Sequence, residues 1–216
     1  YEINERIRAR LASVAREPMM LVYGRPAVAR NAFELICAAL VIWQQRDPIR
    51  ASRWRIVFLG EDFPESLLYP VQNASVGGKA PLEDYADYLN RALVGVSLMI
   101  SPHPSYPPLE MAEAGLATIT NAFEGKDLRR RFGNIVSPAR LDPTSLANLI
   151  EETVARVEPF VGVVVPRQTH AAPPADATRL FDPKAVAAEL RRSVASPLYA
   201  TGDNSRSVSA STCEIY

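Results

Sequence analysis

The sequence predicts an α/β fold of the Rossmann-like, three-layer kind, with a mainly parallel sheet between two layers of helices. Short apolar runs that end in glycine or proline alternate with longer segments of helical period. Such alternation builds strand–helix–strand units whose strands lie parallel and are covered on both faces. The chain has 216 residues, of which 48% are apolar and 22% charged, which suits one globular unit with a real core plus appendages.

Residues 3–16 place Ile7, Leu11 and Val14 on one helical face, so a leading helix is expected up to Pro18. Residues 19–23 are a buried strand closed by Gly24, and residues 29–45 a long helix ended by Asp47-Pro48. A second strand runs over 54–60, and a weaker third over 71–76 ends in Gly77-Gly78. Residues 81–89 carry an early proline and acids in the first turn, as helix N-termini prefer. A strand over 94–100 opens into a proline-rich loop, and residues 109–114 form a short helix stopped by Gly115. Strands over 116–120 and 134–136 and a helix over 143–157 complete the unit. The α/β unit is thus expected to span 1–160, with 1–18 as its leading helix. The remainder, 161–216, reads as a linker around Ala171-Pro174, a helix over 182–194 and a disordered polar tail over 201–212.

Bulk properties exclude several classes. The net charge of zero argues against a nucleic-acid-coating protein. No run approaches the ~20 apolar residues of a membrane span. Cys37 and Cys213 stand far apart with no metal spacing, so neither a disulfide framework nor a metal site is expected, and a cytoplasmic location fits. The chain opens on Tyr1 without a signal peptide and reads as a piece of something longer. The basic run 126–131 reads as a solvated helix face; peripheral contact with the acidic inner face of a membrane is the alternative.

In parallel sheets ligands gather at the carboxyl ends of the strands, which singles out three loops. In Ser101-Pro102-His103-Pro104-Ser105-Tyr106-Pro107-Pro108-Leu109-Glu110 two prolines lead into a helix, with Pro108 expected at its first position. The backbone N–H groups and dipole of such a helix suit a diphosphate, and Glu110 in its first turn suits sugar hydroxyls. His103, Ser105, Tyr106 and Leu109 share that loop and are ligand-binding candidates with Glu110; His170 receives no role. The loop Gly24-Arg25-Pro26-Ala27-Val28-Ala29-Arg30-Asn31 offers a glycine for close backbone approach and two guanidinium forks for phosphate. Gly77, Gly78 and Lys79 offer backbone contact to a flat base with a charge beside it, without the full phosphate-loop spacing.

Residues 21–26 with Arg30-Asn31, followed by the long run from Val96 to Ala112, resemble the C-terminal domain of the WsaF-type rhamnosyltransferases. These belong to the GT-B glycosyltransferases of family 4, and the similarity spans Met19 to Arg156. The resemblance implies two Rossmann-like domains in the whole enzyme, the C-terminal one holding a nucleotide sugar, with dTDP-L-rhamnose as donor. It further implies metal-independent transfer with retention, no resident cofactor, and a glycan acceptor in surface polysaccharide assembly. By position, Arg25 and Arg30 match the basic pair facing the donor diphosphate, and Glu110 the second glutamate of a paired motif that holds the ribose. Where the first glutamate would stand the sequence has Pro102, and His103 and Ser105 occupy the space facing the donor sugar. An N-terminal acceptor domain is implied that this chain lacks, so alone it is expected to bind donor and turn over little. A GT-B-type sugar-nucleotide epimerase and a degenerate interaction domain are the competing readings.

Overall fold

The computed structural model describes residues 5–103 and 105–164. The linker, the 182–194 helix and the polar tail expected from the sequence lie outside the described residues. Six strands form one sheet: β1 Met19–Tyr23, β2 Arg55–Leu59, β3 Ala74–Gly78, β4 Val94–Val96, β5 Ala117–Ile119 and β6 Ile135–Val136. All five pairings are parallel, and the spatial order is β3-β2-β1-β4-β5-β6. The helices are α1 Glu5–Arg8, α2 Phe33–Arg46, α3 Pro48–Ala51, α4 Leu82–Arg91, α5 Tyr106–Glu113 and α6 Pro143–Val157. The expected fold class is the observed one.

Strand alternation divides the core in two. Met20 and Val22 of β1 face a layer containing Ile36, Leu40 and Trp43 of α2 with Leu146, Ile150 and Val154 of α6. Met19 and Leu21 point the other way, against Ile7, Leu89 of α4 and Met111 of α5. The Cβ of an alanine at Gly95 in β4 would stand 2.6 Å from the Met111 sulfur, so glycine lets α5 lie close on the sheet.

Several boundaries differ from the sequence reading, each for a visible reason. The leading helix stops at Arg8 and does not reach residue 16. Beyond it the Asn90 side chain accepts from Ala12 N at 2.8 Å and donates to Arg10 O at 3.0 Å, replacing helical partners. The helix expected over 29–45 begins only at Phe33. A 3-10 turn over Ala29–Asn31 precedes it, and Ala32 between them is left-handed with φ 50°. Phe33 starts the helix by packing edge-on against Phe58 and Phe63, with ring centroids 5.7 and 5.3 Å away. The third strand is displaced from 71–76 to Ala74–Gly78, because the Gln44 side chain takes both backbone groups of Gln72 at 2.9 and 2.7 Å. The 94–100 strand ends at Val96, since side chains claim the backbone beyond it. The basic run is no regular helix: it holds a 3-10 turn over Leu128–Arg130, and Lys126 is buried.

Arg16, only 6% exposed, ties the floor of the unit together. Its guanidinium donates to the carbonyls of Leu89 at 2.7 Å, Ala92 at 2.8 Å and Ala114 at 2.6 Å, at the carboxyl ends of α4 and α5. These carbonyls lack helical partners of their own. Burial lowers its pKa to about 10, which leaves it charged at neutral pH. Replacing Arg16 with Met keeps the bulk and strands three carbonyls. The expected loss is about 3 kcal/mol in urea unfolding. A loss no larger than the roughly 0.5 kcal/mol usual at surface sites would overturn this account.

Candidate functional site

The strand order reverses between β1 and β4: from β1 the chain leaves toward the α2 face, and from β4 toward the α5 face. Above such a reversal the departing loops separate and leave a crevice at the strand ends. A cleft of about 430 Å³ lies there, within the size range of small-molecule sites. Arg25 and Arg30 enter it from the β1 loop, Lys79 from the end of β3, and His103, Ser105, Tyr106 and Glu110 from the β4 loop and α5. Seven of the expected site residues therefore share one cavity.

Four others do not line it. A Cβ at Gly24 would sit 3.2 Å from Phe58 and 3.3 Å from Phe33, so this glycine serves the aromatic packing below the loop. At Gly77 it would stand 2.7 Å from Leu59, and at Gly78, whose φ is +62°, it would collide with the Asp62 carboxylate. Leu109, 5% exposed, turns into the core. The physical reason is common: glycines at strand ends here admit neighbouring side chains.

The helix entry also differs. Ser105 is the N-cap and Tyr106 the first helical residue, so Pro107 and Pro108 stand second and third. Pro108 is not at the first position, and Glu110, fifth in the helix, lies past the first turn. Two of the first three helical residues thus have no N–H. The dipole remains, but most of the amide cradle expected for a diphosphate is missing.

Arg30 sits in the 3-10 turn, exposed, while Arg25 is half-buried with its Nε shut away from solvent and without an acceptor. The nearest carboxylate, Glu61, is 4.0 Å from that nitrogen. Glu61 also accepts from Ala27 N at 3.3 Å and so steadies the loop. The β4 loop is held from both sides. Asn31 donates to Leu98 O at 3.1 Å, and Ile100 N donates to Arg30 O at 2.8 Å. Asn121 accepts from Met99 N at 2.7 Å and donates to Met99 O at 3.0 Å. Lys126 Nζ adds a 2.5 Å bond to the same oxygen. Burial lowers the Lys126 pKa.

Sequence reading missed Tyr23, Gly60 and Tyr85 among the lining residues, and gave Asn31 of the β1 loop no role of its own. Tyr85 of α4 donates its hydroxyl to Glu110 Oε2 at 3.0 Å. Burial, then the adjacent carboxylate, hold the Tyr85 phenol well above its ordinary pKa, so it keeps its proton and donates. Burial also pushes the Glu110 carboxyl up, and the Tyr85 bond pulls it partly back. Gly60, with φ +107°, lies under the Tyr23 ring, where a Cβ would approach to 2.6 Å.

Fold and crevice together define a doubly wound α/β unit with a cationic ligand cleft at its topological switch. Residues 18–151 match the family model described as WsaF, C-terminal domain, and the chain belongs to that family. It is also similar to the O-antigen biosynthesis protein RfbC of Myxococcus xanthus, 35% identical over 100 residues. That match covers 46% of this chain and 8% of the relative, so the chain spans a small part of the relative's length. Among solved structures it resembles WaaG, a glycosyltransferase involved in lipopolysaccharide biosynthesis, at 15% identity and a TM-score of 0.51, covering 74% of this chain and 44% of that one. It also resembles the C-terminal domain of the glycosyl transferase group 1 family protein LpcC from Francisella tularensis, at 12% identity and a TM-score of 0.50, covering 75% and 87%. At those identities the likeness is one of fold. No described helix is long and apolar enough to cross a membrane.

Glu110 gives a stability test of the site. Its folded-state pKa is raised, so the protonated form is favoured on folding. That contribution is present below the unfolded pKa and is lost as pH rises through the folded value. Glu110→Gln is therefore expected to be at least as stable as the wild type at pH 7, its advantage shrinking toward pH 4. Urea unfolding at both pH values measures it, and a variant markedly weaker at pH 7 would contradict the assignment.

Proposed function

We propose that this chain is the donor-binding half of a two-domain, GT-B-type glycosyltransferase that assembles a surface polysaccharide, moving L-rhamnose from dTDP-L-rhamnose to a glycan acceptor. The donor domain would span residues 1–160, and an acceptor-binding domain would face the cleft. The observation that carries the reading is the convergence of Arg25, Arg30 and Lys79 with His103, Ser105 and Glu110 in one crevice. Membership of the WsaF C-terminal family and the O-antigen role in the name of the RfbC relative support the same class of chemistry.

The roles follow from charge and position. Arg25 and Arg30 take the diphosphate, and their fixed positive charge stabilises the leaving group as the sugar–oxygen bond breaks. This is the work a divalent cation does in metal-dependent transferases, and it supports transfer without one. Lys79, exposed at the end of β3, stands on the nucleoside side with Glu110. His103 and Ser105 face the sugar. Retention of configuration and rhamnose as the sugar rest on the family resemblance. Chemistry would need the facing domain, so the chain alone binds donor with little turnover.

The arginine pair tests this reading. Arg25→Ala or Arg30→Ala should weaken dTDP binding about tenfold to a hundredfold, as loss of a charge-assisted bond of roughly 1.5–3 kcal/mol implies. Thymidine affinity should hardly change. Lysine should restore more at Arg30 than at Arg25, where the guanidinium fork sits in a tighter place. Calorimetric titration with both ligands decides: an equal fall for thymidine and dTDP would mean the pair does not read phosphate.

A further inference from the structure

Among the described residues Glu110 is the one carboxylate lining the 430 Å³ cleft, while Glu61 and Asp62 line an adjoining cleft that shares Tyr23, Arg25, Gly60 and Lys79 with it. The burial of Glu110 is unusual for an acid, with 9% of its surface exposed. Among the described residues only the Tyr85 hydroxyl donates to its carboxylate, through Oε2, and Oε1 accepts from none. Tyr85 comes from a different element, α4, and lines the same cleft. Tyr85 is half-buried, with its hydroxyl against the Glu110 carboxylate. We propose that Tyr85 is a positioning residue for the donor: its hydroxyl fixes the Glu110 carboxylate by one oxygen and leaves the other to accept a hydroxyl from the nucleoside sugar. This rests on the donor-binding reading above.

A carboxylate on α5 without the phenol would retain rotamer freedom, and ordering it on binding would weaken the complex. It would also lose its charge more readily, because burial favours the protonated acid and the phenol is the donor that opposes this. The other groups that face this corner are Tyr23 at the end of β1, itself near Tyr85, the cations Arg25 and Arg30 on the β1 loop, Lys79 after β3, and His103 on the β4 loop. None of these is recorded bonding the carboxylate. A sugar hydroxyl donates more strongly to a carboxylate than to a carboxylic acid, so a donor that keeps Glu110 ionised supports affinity as well as geometry.

The test uses the whole chain, with Tyr85→Phe, Glu110→Gln and the double variant titrated against dTDP and thymidine from pH 8 to pH 6. Tyr85→Phe is expected to weaken both ligands by about threefold to tenfold at pH 8, the size of one hydrogen bond of roughly 1 kcal/mol. The ratio of wild-type to Tyr85→Phe affinity should grow as pH falls, because the variant's carboxylate protonates first. Ionisation of the dTDP phosphate cancels in that ratio. In the Glu110→Gln background the phenylalanine should have a smaller effect, the two changes being non-additive. A pH-independent ratio with additive losses would overturn the proposal and leave a merely structural tyrosine. A wild type that binds dTDP tightly but shows no response to Tyr85→Phe would also overturn it, with donor binding intact. A wild type that binds neither ligand would instead refute the donor-binding reading. Tyr85→Leu, which keeps an apolar core contact, guards against a folding defect: it should show the same pH-dependent ratio.

Discussion

The site depends on hydrogen bonds that hold the chain after β4 away from the sheet ladder. Val96 is the last residue of that strand, and from Leu98 to Ile100 the backbone is taken by Asn31, Asn121, Lys126 and the Arg30 carbonyl. An irregular segment this near a core would otherwise bury unpaired polar groups, at a cost of several kcal/mol. Paired in this way it is as constrained as a strand. Asn31 and Arg30 come from the loop after β1, and Asn121 and Lys126 from the loop after β5. The bonds therefore join both sides of the crevice and set its width. Met99, His103 and Ser105 take their places from that frame, and Ser105 then stands at the N-cap position of the helix that carries Glu110.

That frame shifts the electrostatic work from backbone to side chains. Helix α5 points its positive end into the cleft, yet Pro107 and Pro108 remove two of its leading N–H groups. The phosphate sites of many doubly wound proteins use such amides. Here two guanidinium groups and one ammonium stand in the cleft instead, on two different segments. Side-chain cations are longer and freer than amides, so they need local anchoring. Glu61 supplies part of it, contacting Arg25 and bonding the loop at Ala27. The Arg25 Nε itself is buried without a hydrogen-bond acceptor, with Glu61 4.0 Å away.

Most strands and the loops that carry cations were legible because they depend on local signals. Period-two or continuous apolar runs ending in glycine mark β1 and β2, and the residues after them fall at strand ends whatever the details. Tyr85 was not legible. It lies in an amphipathic helix where a tyrosine reads as packing, and its meaning appears only when α4 and α5 meet. Asn31 and Asn121 escaped for the same reason, since a side chain that satisfies distant backbone leaves no periodic trace. The glycines misled in the opposite direction. Strand-end glycine is compatible with a ligand above it or a side chain beside it, and only three-dimensional packing separates the two. The leading helix failed through a strong local period overridden by the bonds of Asn90 and Arg16.

The placement of desolvated polar groups follows a division of labour. Arg16, on the floor, is buried but meets three carbonyls, so its charge is compensated and contributes to the fold. Glu110, at the ceiling, is buried with a single donor and its ionised form disfavoured. A group of the second kind weakens folding relative to a neutral isostere, and nothing in the packing requires it to be an acid. A fold that needed only a core would have a glutamine or leucine there. The acid makes physical sense once a ligand supplies a second hydrogen bond, because binding then compensates a penalty that folding alone leaves unmet. The same reasoning applies to Arg25, whose buried donor also lacks a partner. Arg25 and Glu110 line one crevice, one positive and one negative, and the proposed nucleoside diphosphate would present phosphate oxygens to the first and hydroxyls to the second.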